Sequence, residues 1–191
     1  MNLKKYQEKR QFKSTPEPEG TKPRKKKDKP IFVIQKHAAS HLHYDFRLEI
    51  NGVLVSWAVP KGLSLVAKKK NLAIRTEDHP LDYADFEGVI PEDQYGGGTV
   101  MVWDRGQYYN QHDGKMEDTL KEGKISIWLI GHKIKGGYHL IRTQINQQSK
   151  KQWLIIKADD NEADARRNPN STQPKSLISN KTINQIKNSR E

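Results

Sequence analysis

The sequence predicts a mostly β protein: a compact antiparallel β-barrel of about eight short strands with little helix, flanked by flexible N- and C-terminal segments. Three observations predict it. From Leu42 the chain alternates strictly, with Leu42, Tyr44, Phe46 and Leu48 on one parity and His41, His43, Asp45, Arg47 and Glu49 on the other; period two marks a strand with one buried face. Asn51-Gly52 follows and separates this run from Val53-Leu54-Val55-Ser56-Trp57-Ala58-Val59, and both turn residues tolerate the positive φ of a two-residue hairpin loop. Between residues 30 and 157, short β-prone runs recur among Gly, Pro, Asn and Asp, with almost no helical period. Closing such strands into a barrel removes exposed edges.

Taken in order, residues 1–29 form a basic arm. Tyr6 and Phe12 stand among charges, prolines at 16, 18 and 23 favour extended backbone, and Lys22-Pro23-Arg24-Lys25-Lys26-Lys27 follows. So little apolar area predicts a largely flexible arm, with docking of Tyr6, Phe12 or Glu17 onto the barrel left open. The domain proper spans 30–157. Ile31-Phe32-Val33-Ile34 reads as a buried strand leading into the His-rich segment. The hairpin ends at Pro60-Lys61-Gly62, Lys68-Lys69-Lys70 connects, and residues 71–77 form the next strand, delivering the polar turn Asp78-His79-Pro80-Leu81-Asp82-Tyr83. Gly96-Gly97-Gly98 lacks the Lys-Ser/Thr of a phosphate-binding P-loop and reads as a bend or close backbone approach before a strand at 99–104. Arg105-Gly106 is expected to turn. Met116 to Glu122 reads as a short helix ended by Gly123, and strands follow at 124–131, 136–142 and 152–157. Residues 158–191 are polar and expected to be disordered, with a weak helix near 182–188.

The chain has 191 residues and a formal net charge of +11. Eleven Lys/Arg against four Asp/Glu lie in residues 1–29, so most of the excess sits in the arm. A basic arm suits a phosphate backbone, although a solubilising tail is the plainer reading. The absence of cysteine excludes disulfides, thiolate nucleophiles and Cys-ligated zinc. No apolar run approaches the roughly 18 residues of a membrane span, and the N-terminus lacks a signal-peptide h-region, so the expected location is cytoplasmic.

The polar face of the Leu42 strand carries the chemistry. Two imidazoles, a carboxylate, a guanidinium and a second carboxylate form one row, with same-face neighbours about 6–7 Å apart; His37 lies six residues upstream of His43. Ordinary solvated faces mix Lys, Thr, Ser and Glu. Three His within seven residues, then Asp and Arg, point instead to a divalent-metal site beside an anion site. His79, before Pro80, is either a surface turn residue or a side chain aimed into that site.

Gln35-Lys36-His37-x5-His43-Tyr44-Asp45-Phe46-Arg47-Leu48-Glu49, Ser56-Trp57-Ala58-Val59-Pro60-Lys61-Gly62, Glu77-Asp78-His79-Pro80-Leu81-Asp82-Tyr83-Ala84-Asp85-Phe86-Glu87-Gly88, Ile90-Pro91-Glu92 and Val102-Trp103-Asp104-Arg105-Gly106 closely resemble the 3′-phosphoesterase domain of bacterial DNA ligase D, a family that also occurs as free-standing proteins. The resemblance covers roughly residues 6–157, including the approach segment Thr15-Pro16-Glu17-Pro18. It implies a compact β-barrel and a manganese-dependent enzyme that heals DNA or DNA/RNA 3′ ends, removing a terminal ribonucleoside to leave a 3′-phosphate and then hydrolysing that phosphate to a 3′-OH. By motif, His37, His43 and Asp45 match the metal ligands, Arg47 and His79 the phosphate contacts, and Tyr83 a further active-site residue. Gln35, Lys61 and Glu77 are weaker candidates. The residues themselves would also accept Co2+, Zn2+ or iron, so manganese comes from the resemblance. The implied partners are a primer-template and a DNA ligase, repair polymerase or end-binding protein, with no membrane. One departure is Asn71, where a basic residue is expected in some relatives.

Two other readings compete. His43-x-Asp45 with a later His such as His139 imitates the facial triad of non-haem iron oxygenases, but leaves His37, Arg47 and His79 without a role. A non-catalytic DNA-end-binding module would use the arm and barrel surface alone.

Overall fold

The computed structural model describes residues 3–20, 29–143 and 151–190. Among the described residues, nine strands form one antiparallel sheet: β1 (Ile31–Ala38), β2 (Leu42–Ile50), β3 (Val53–Val59), β4 (Lys70–Arg75), β5 (Gly88–Ile90), β6 (Gly98–Asn110), β7 (Lys124–Gly131), β8 (Lys135–Arg142) and β9 (Gln152–Lys157). The order β1-β2-β3-β4-β9-β8-β7-β6 closes because β6 also pairs with β1, giving an eight-stranded barrel, and β5 is added alongside β6. The β2–β3 hairpin turns on Asn51 and Gly52, with φ of 50° and 78°, as its sequence requires.

Period two divides the apolar residues into two groups. Phe32, Ile34, Phe46, Leu48, Val55, Trp57, Trp103 and Leu140 belong to the main core, which fills the barrel. Ile31, Val33, Leu54, Val100 and Val102 have the opposite parity and join Tyr6, Tyr83, Ala84, Phe86 and Ile90 in a second buried cluster. One stretch of the barrel's outer wall is therefore covered, by the N-terminal segment and by residues 79–90. That cover turns an outer sheet face into a cleft.

Two strands run further than their sequence suggests. β1 continues through His37 to Ala38, so His37 is a strand residue. β6 passes straight through Arg105-Gly106, where a turn was expected. Gly106 pairs with Phe32 on one side and Gly131 on the other, and a side chain there would run into the carbonyl oxygen of Ile130. The glycine serves close approach between strands, which a local reading mistakes for a turn signal. At Gly97 a Cβ would lie 2.7 Å from the carbonyl oxygen of Pro91, in keeping with the expected close approach. β5 has no obvious strand signal; it forms because it can pair with the start of β6.

Helix is sparse. α1 (Lys4–Glu8), α2 (Met116–Glu122), α3 (Pro169–Thr172) and α4 (Ile183–Lys187) are short, and α2 ends at Gly123 as expected. The polar turn after His79 is a 3-10 helix at Leu81–Asp85. No described helix is long and apolar enough to cross a membrane.

The two flanks contribute more contacts than their polarity suggests. Tyr6 is fully buried and its hydroxyl donates to the Pro18 carbonyl at 2.6 Å. On the C-terminal side, the Trp103 indole donates to the Gln173 carbonyl at 2.8 Å, Leu177 N donates to Val102 O at 3.0 Å, and Ile186 joins the core. The Lys22–Lys27 run lies outside the described residues.

Candidate active site

The register between β1 and β2 builds the centre of the site. His37 stands opposite His43, and Gln35 opposite Asp45; all four face the covered outer wall. His37, Asp45 and Gln35 are buried, and His43 is partly open. One ring nitrogen from each histidine and one Asp45 carboxylate oxygen lie within 4.8 Å of one another. His37 Nδ1 is 3.5 Å from Asp45 Oδ2, and His43 Nε2 is 3.8 Å from Asp45 Oδ1.

This donor set fits a divalent transition metal. His43 Nδ1 is 2.9 Å from the His41 carbonyl oxygen. A carbonyl only accepts, so Nδ1 is the donor there and Nε2 is the nitrogen turned toward Asp45, the outer hydrogen bond that orients metal-binding imidazoles. Among the described residues, the buried His37 Nε2 has no hydrogen-bond partner. Burial alone would raise the Asp45 pKa, but the Arg47 guanidinium and the two imidazoles outweigh it and hold the carboxyl below the usual range. The group thus offers two imidazoles and one carboxylate, a combination suited to first-row divalent ions.

Arg47 is the next residue on the same face and is held on several sides. Its Nε donates to Gln35 Oε1 at 2.7 Å, Nη1 donates to Ser56 Oγ at 2.9 Å, and Nη2 lies 3.2 Å from Asp45 Oδ2. The guanidinium carbon is 4.9 Å from the Tyr83 ring centroid. Gln35 spends its amide nitrogen on the carbonyls of Tyr83 and Phe86, at 3.0 and 2.9 Å. Its contacts join β1 to the covering segment and aim Arg47. Ser56 was not singled out by sequence; the β2–β3 register, which pairs it with Arg47, brings it in.

His79 is clamped onto β3 by a reciprocal backbone pair with Leu54, at 2.8 and 2.9 Å. Its Nδ1 is 2.9 Å from Arg47 Nη1 and its Nε2 is 3.3 Å from Arg10 Nη2. Burial first, then the two guanidinium charges, push its pKa well below the usual histidine value, so the ring is neutral at pH 7.

Arg10 is a functional candidate that sequence reasoning did not assign, and Glu17, expected only as a residue of the arm that could dock onto the barrel, is its partner. Arg10 is one of eleven basic residues in the arm, and nothing local marks it. In the fold its side chain is buried, with Nε 2.9 Å from Glu17 Oε1 and Nη1 3.3 Å from Glu77 Oε1. Its guanidinium carbon lies 3.8 Å from the Tyr6 ring centroid. Tyr83 Oη donates to Glu17 Oε1 at 2.9 Å, and Thr15 Oγ1 donates to Glu17 Oε2 at 3.0 Å. Buried Glu17 thus ties the arm to Tyr83, while Arg10 brings a second cation to His79.

The cleft encloses about 160 Å³, and its lining includes Arg10, His37, His43, Asp45, Arg47, Glu77, His79 and Tyr83. Seven of the nine residues expected at the site therefore meet around it: six by lining together with Glu77, while Gln35 stands behind Arg47. Lys61 does not line this cleft; it is exposed, next to the C-terminal segment, where its carbonyl accepts from Asn170 at 3.2 Å. His139 lies on β8, with Nδ1 2.7 Å from Ser126 Oγ, and is not in the His37–His43–Asp45 group, which removes the facial triad imagined with it. Asn71 is buried and donates to the Gly62 carbonyl at 2.7 Å, so it holds the connection after β3.

Residues 35–142 match the family described as the DNA Ligase D 3′-phosphoesterase domain. The multifunctional non-homologous end joining protein LigD of Pseudomonas aeruginosa is 48% identical over 184 residues, which is 95% of this chain and 22% of that protein. The multifunctional non-homologous end joining DNA repair protein LigD of Mycobacterium tuberculosis is 49% identical over 141 residues, 74% of this chain and 18% of that protein. The Mycolicibacterium smegmatis LigD protein is 40% identical over 159 residues, 81% and 20%. The chain thus spans about a fifth of the length of these relatives.

Proposed function

Because the chain belongs to the DNA ligase D 3′-phosphoesterase family, we propose that it is a manganese-dependent hydrolase that heals DNA 3′ ends, first removing a terminal ribonucleoside and then converting the remaining 3′-phosphate to a 3′-OH. One observation carries the reading: a His-His-Asp group able to hold a divalent ion shares a cleft with two guanidiniums and a neutral imidazole. His37, His43 and Asp45 would hold the ion, which when bound supplies Lewis-acid charge neutralisation and activation of water.

The chain's own groups do the rest. The phosphoryl group carries negative charge on its non-bridging oxygens through the reaction, and donors already fixed in place stabilise it without reorganising. Arg47, held by Gln35, Ser56 and Asp45, grips a non-bridging oxygen. Arg10, braced by Glu17 and Glu77, stands on the opposite side of His79 and supplies the second positive group. His79 enters neutral and serves as a hydrogen-bond partner to the phosphoryl group. Tyr83 and Glu17 hold the arm against the site. The reaction takes place in the cytoplasm beside the DNA, and a ligase, repair polymerase or end-binding protein would receive or deliver the end.

The test is a labelled primer-template with one 3′-terminal ribonucleotide, incubated with the protein and manganese beside His43→Ala. Stepwise shortening to a 3′-phosphate and then a 3′-OH, absent from the variant, is the expected result. Firm binding with no shortening in manganese, and none in cobalt or zinc, would leave a non-catalytic end-binding module instead.

A further inference from the structure

We propose that the groove between α1 and β4 holds the phosphate backbone of the strand whose 3′ end enters the cleft, with Tyr95 stacking on a base where groove and cleft meet. The proposal rests on the end-healing reading above and adds the path of the strand. The groove encloses about 760 Å³, against about 160 Å³ for the cleft. Thr76, Glu77 and Tyr95 line both cavities, so the two are neighbours across these residues. The smaller space suits the terminal phosphoryl group, and the nucleotides that precede it need a second one.

The groove has the character of a single-strand track. Five cations line it, Lys4, Lys5, Lys9, Arg75 and Lys151, against three carboxylates, Glu8, Glu77 and Asp78. Each carboxylate already has a cation: Glu8 faces Lys4 at 3.8 Å, Glu77 faces Lys9 at 3.1 Å, and Asp78 faces Arg75. The remaining excess falls on Lys5 and Lys151, both exposed. Ile74 and Tyr95 add apolar surface, at 37% and 49% exposure. Lys9 Nζ donates to Tyr95 Oη at 2.8 Å and lies 4.2 Å from its ring centroid, which fixes the ring at the junction. A cationic groove with an aromatic platform is how single strands are held without sequence preference.

The experiment uses the full chain without divalent ion and measures fluorescence anisotropy of labelled oligodeoxynucleotides bearing a 3′-phosphate, a dinucleotide and a hexanucleotide. The wild-type protein is expected to bind the hexanucleotide about tenfold more tightly than the dinucleotide. Lys5→Ala with Lys151→Ala is expected to lose most of that advantage and to lower the slope of log Kd against log salt by about 1.4, about 0.7 for each of two single-strand phosphate contacts. Tyr95→Ala is expected to weaken the hexanucleotide about tenfold with the slope kept. An unchanged hexanucleotide affinity and slope in the double lysine variant would overturn the proposal. The same oligonucleotides with manganese separate the two readings. Length-dependent binding that the variants abolish, with no hydrolysis by wild type, removes the enzyme and keeps the groove. Hydrolysis with an intact length advantage in every variant removes the groove and keeps the enzyme.

Discussion

Arg47 shows how much of the site depends on single side chains. A guanidinium is useful to a phosphoryl group only if its fork is fixed in advance, since each free rotamer costs binding energy. Gln35, Ser56 and Asp45 supply that fixing with three contacts of 2.7, 2.9 and 3.2 Å. Arg10 is fixed in the same way by Glu17 and Glu77. Replacing either arginine by alanine is therefore predicted to lower kcat for 3′-phosphate hydrolysis by about 10²–10³, the loss typical of one preorganised charge-stabilising donor, with bound metal retained. Steady-state kinetics and metal analysis on the same sample check this. An Arg10→Ala enzyme with wild-type kcat would remove the arm from the chemistry.

The arm is the element with the most to lose. It puts Tyr6 over the outer cluster of Val33, Leu54, Tyr83 and Ala84, and through Arg10 and Glu17 it completes the cleft. The barrel interior has a cluster of its own that excludes Tyr6, and the arm reaches it through partly buried Leu3. Deleting residues 1–20 is thus expected to abolish hydrolysis while leaving a cooperatively folding barrel, less stable by about 2 kcal/mol from the lost aromatic burial. Urea denaturation alongside an activity assay tests it. Turnover by the truncated chain, or a collapse of cooperative unfolding, would contradict this division of labour.

For the whole molecule, the segment after β9 is fastened back onto β8 and β9. Lys157, at the end of β9, is buried, and its Nζ lies 2.7 Å from both carboxylate oxygens of Asp160. Asp160 also accepts from Gly137 N at 2.7 Å. Burial opposes ionisation of Asp160, yet the Lys157 ammonium and the backbone donors win and lower its pKa. A carboxylate with a depressed folded-state pKa stabilises the fold above its unfolded value, near 4, and loses that contribution as the pH falls through the folded value. Asp160→Asn is predicted to cost about 3 kcal/mol at neutral pH, since it leaves a buried ammonium without its counter-charge. The gap from wild type should narrow below about pH 4. Denaturation curves at neutral and acid pH decide it; a gap that stays constant across that range would mean the pair adds nothing electrostatic.

The sequence by itself determined the barrel, the β2–β3 hairpin and the row His43, Asp45, Arg47, because these follow from period-two alternation and from turn residues a few positions apart. The family motifs brought His79, Tyr83, Gln35 and Glu77 into view, and the fold set them at or behind one cleft. Lys61 shares those motifs but lies elsewhere, since neighbours in sequence diverge once a strand ends. Only the tertiary structure decided that Gly106 lies within a strand, because its constraint is the carbonyl of Ile130 on another strand. Only it placed Ser56 against Arg47 and Arg10 against His79. Arg10 lies 69 residues from His79 in the chain. Local pattern carries no information over such a span; the contact exists because Tyr6 and Glu17 find buried partners on a wall that only the closed barrel presents.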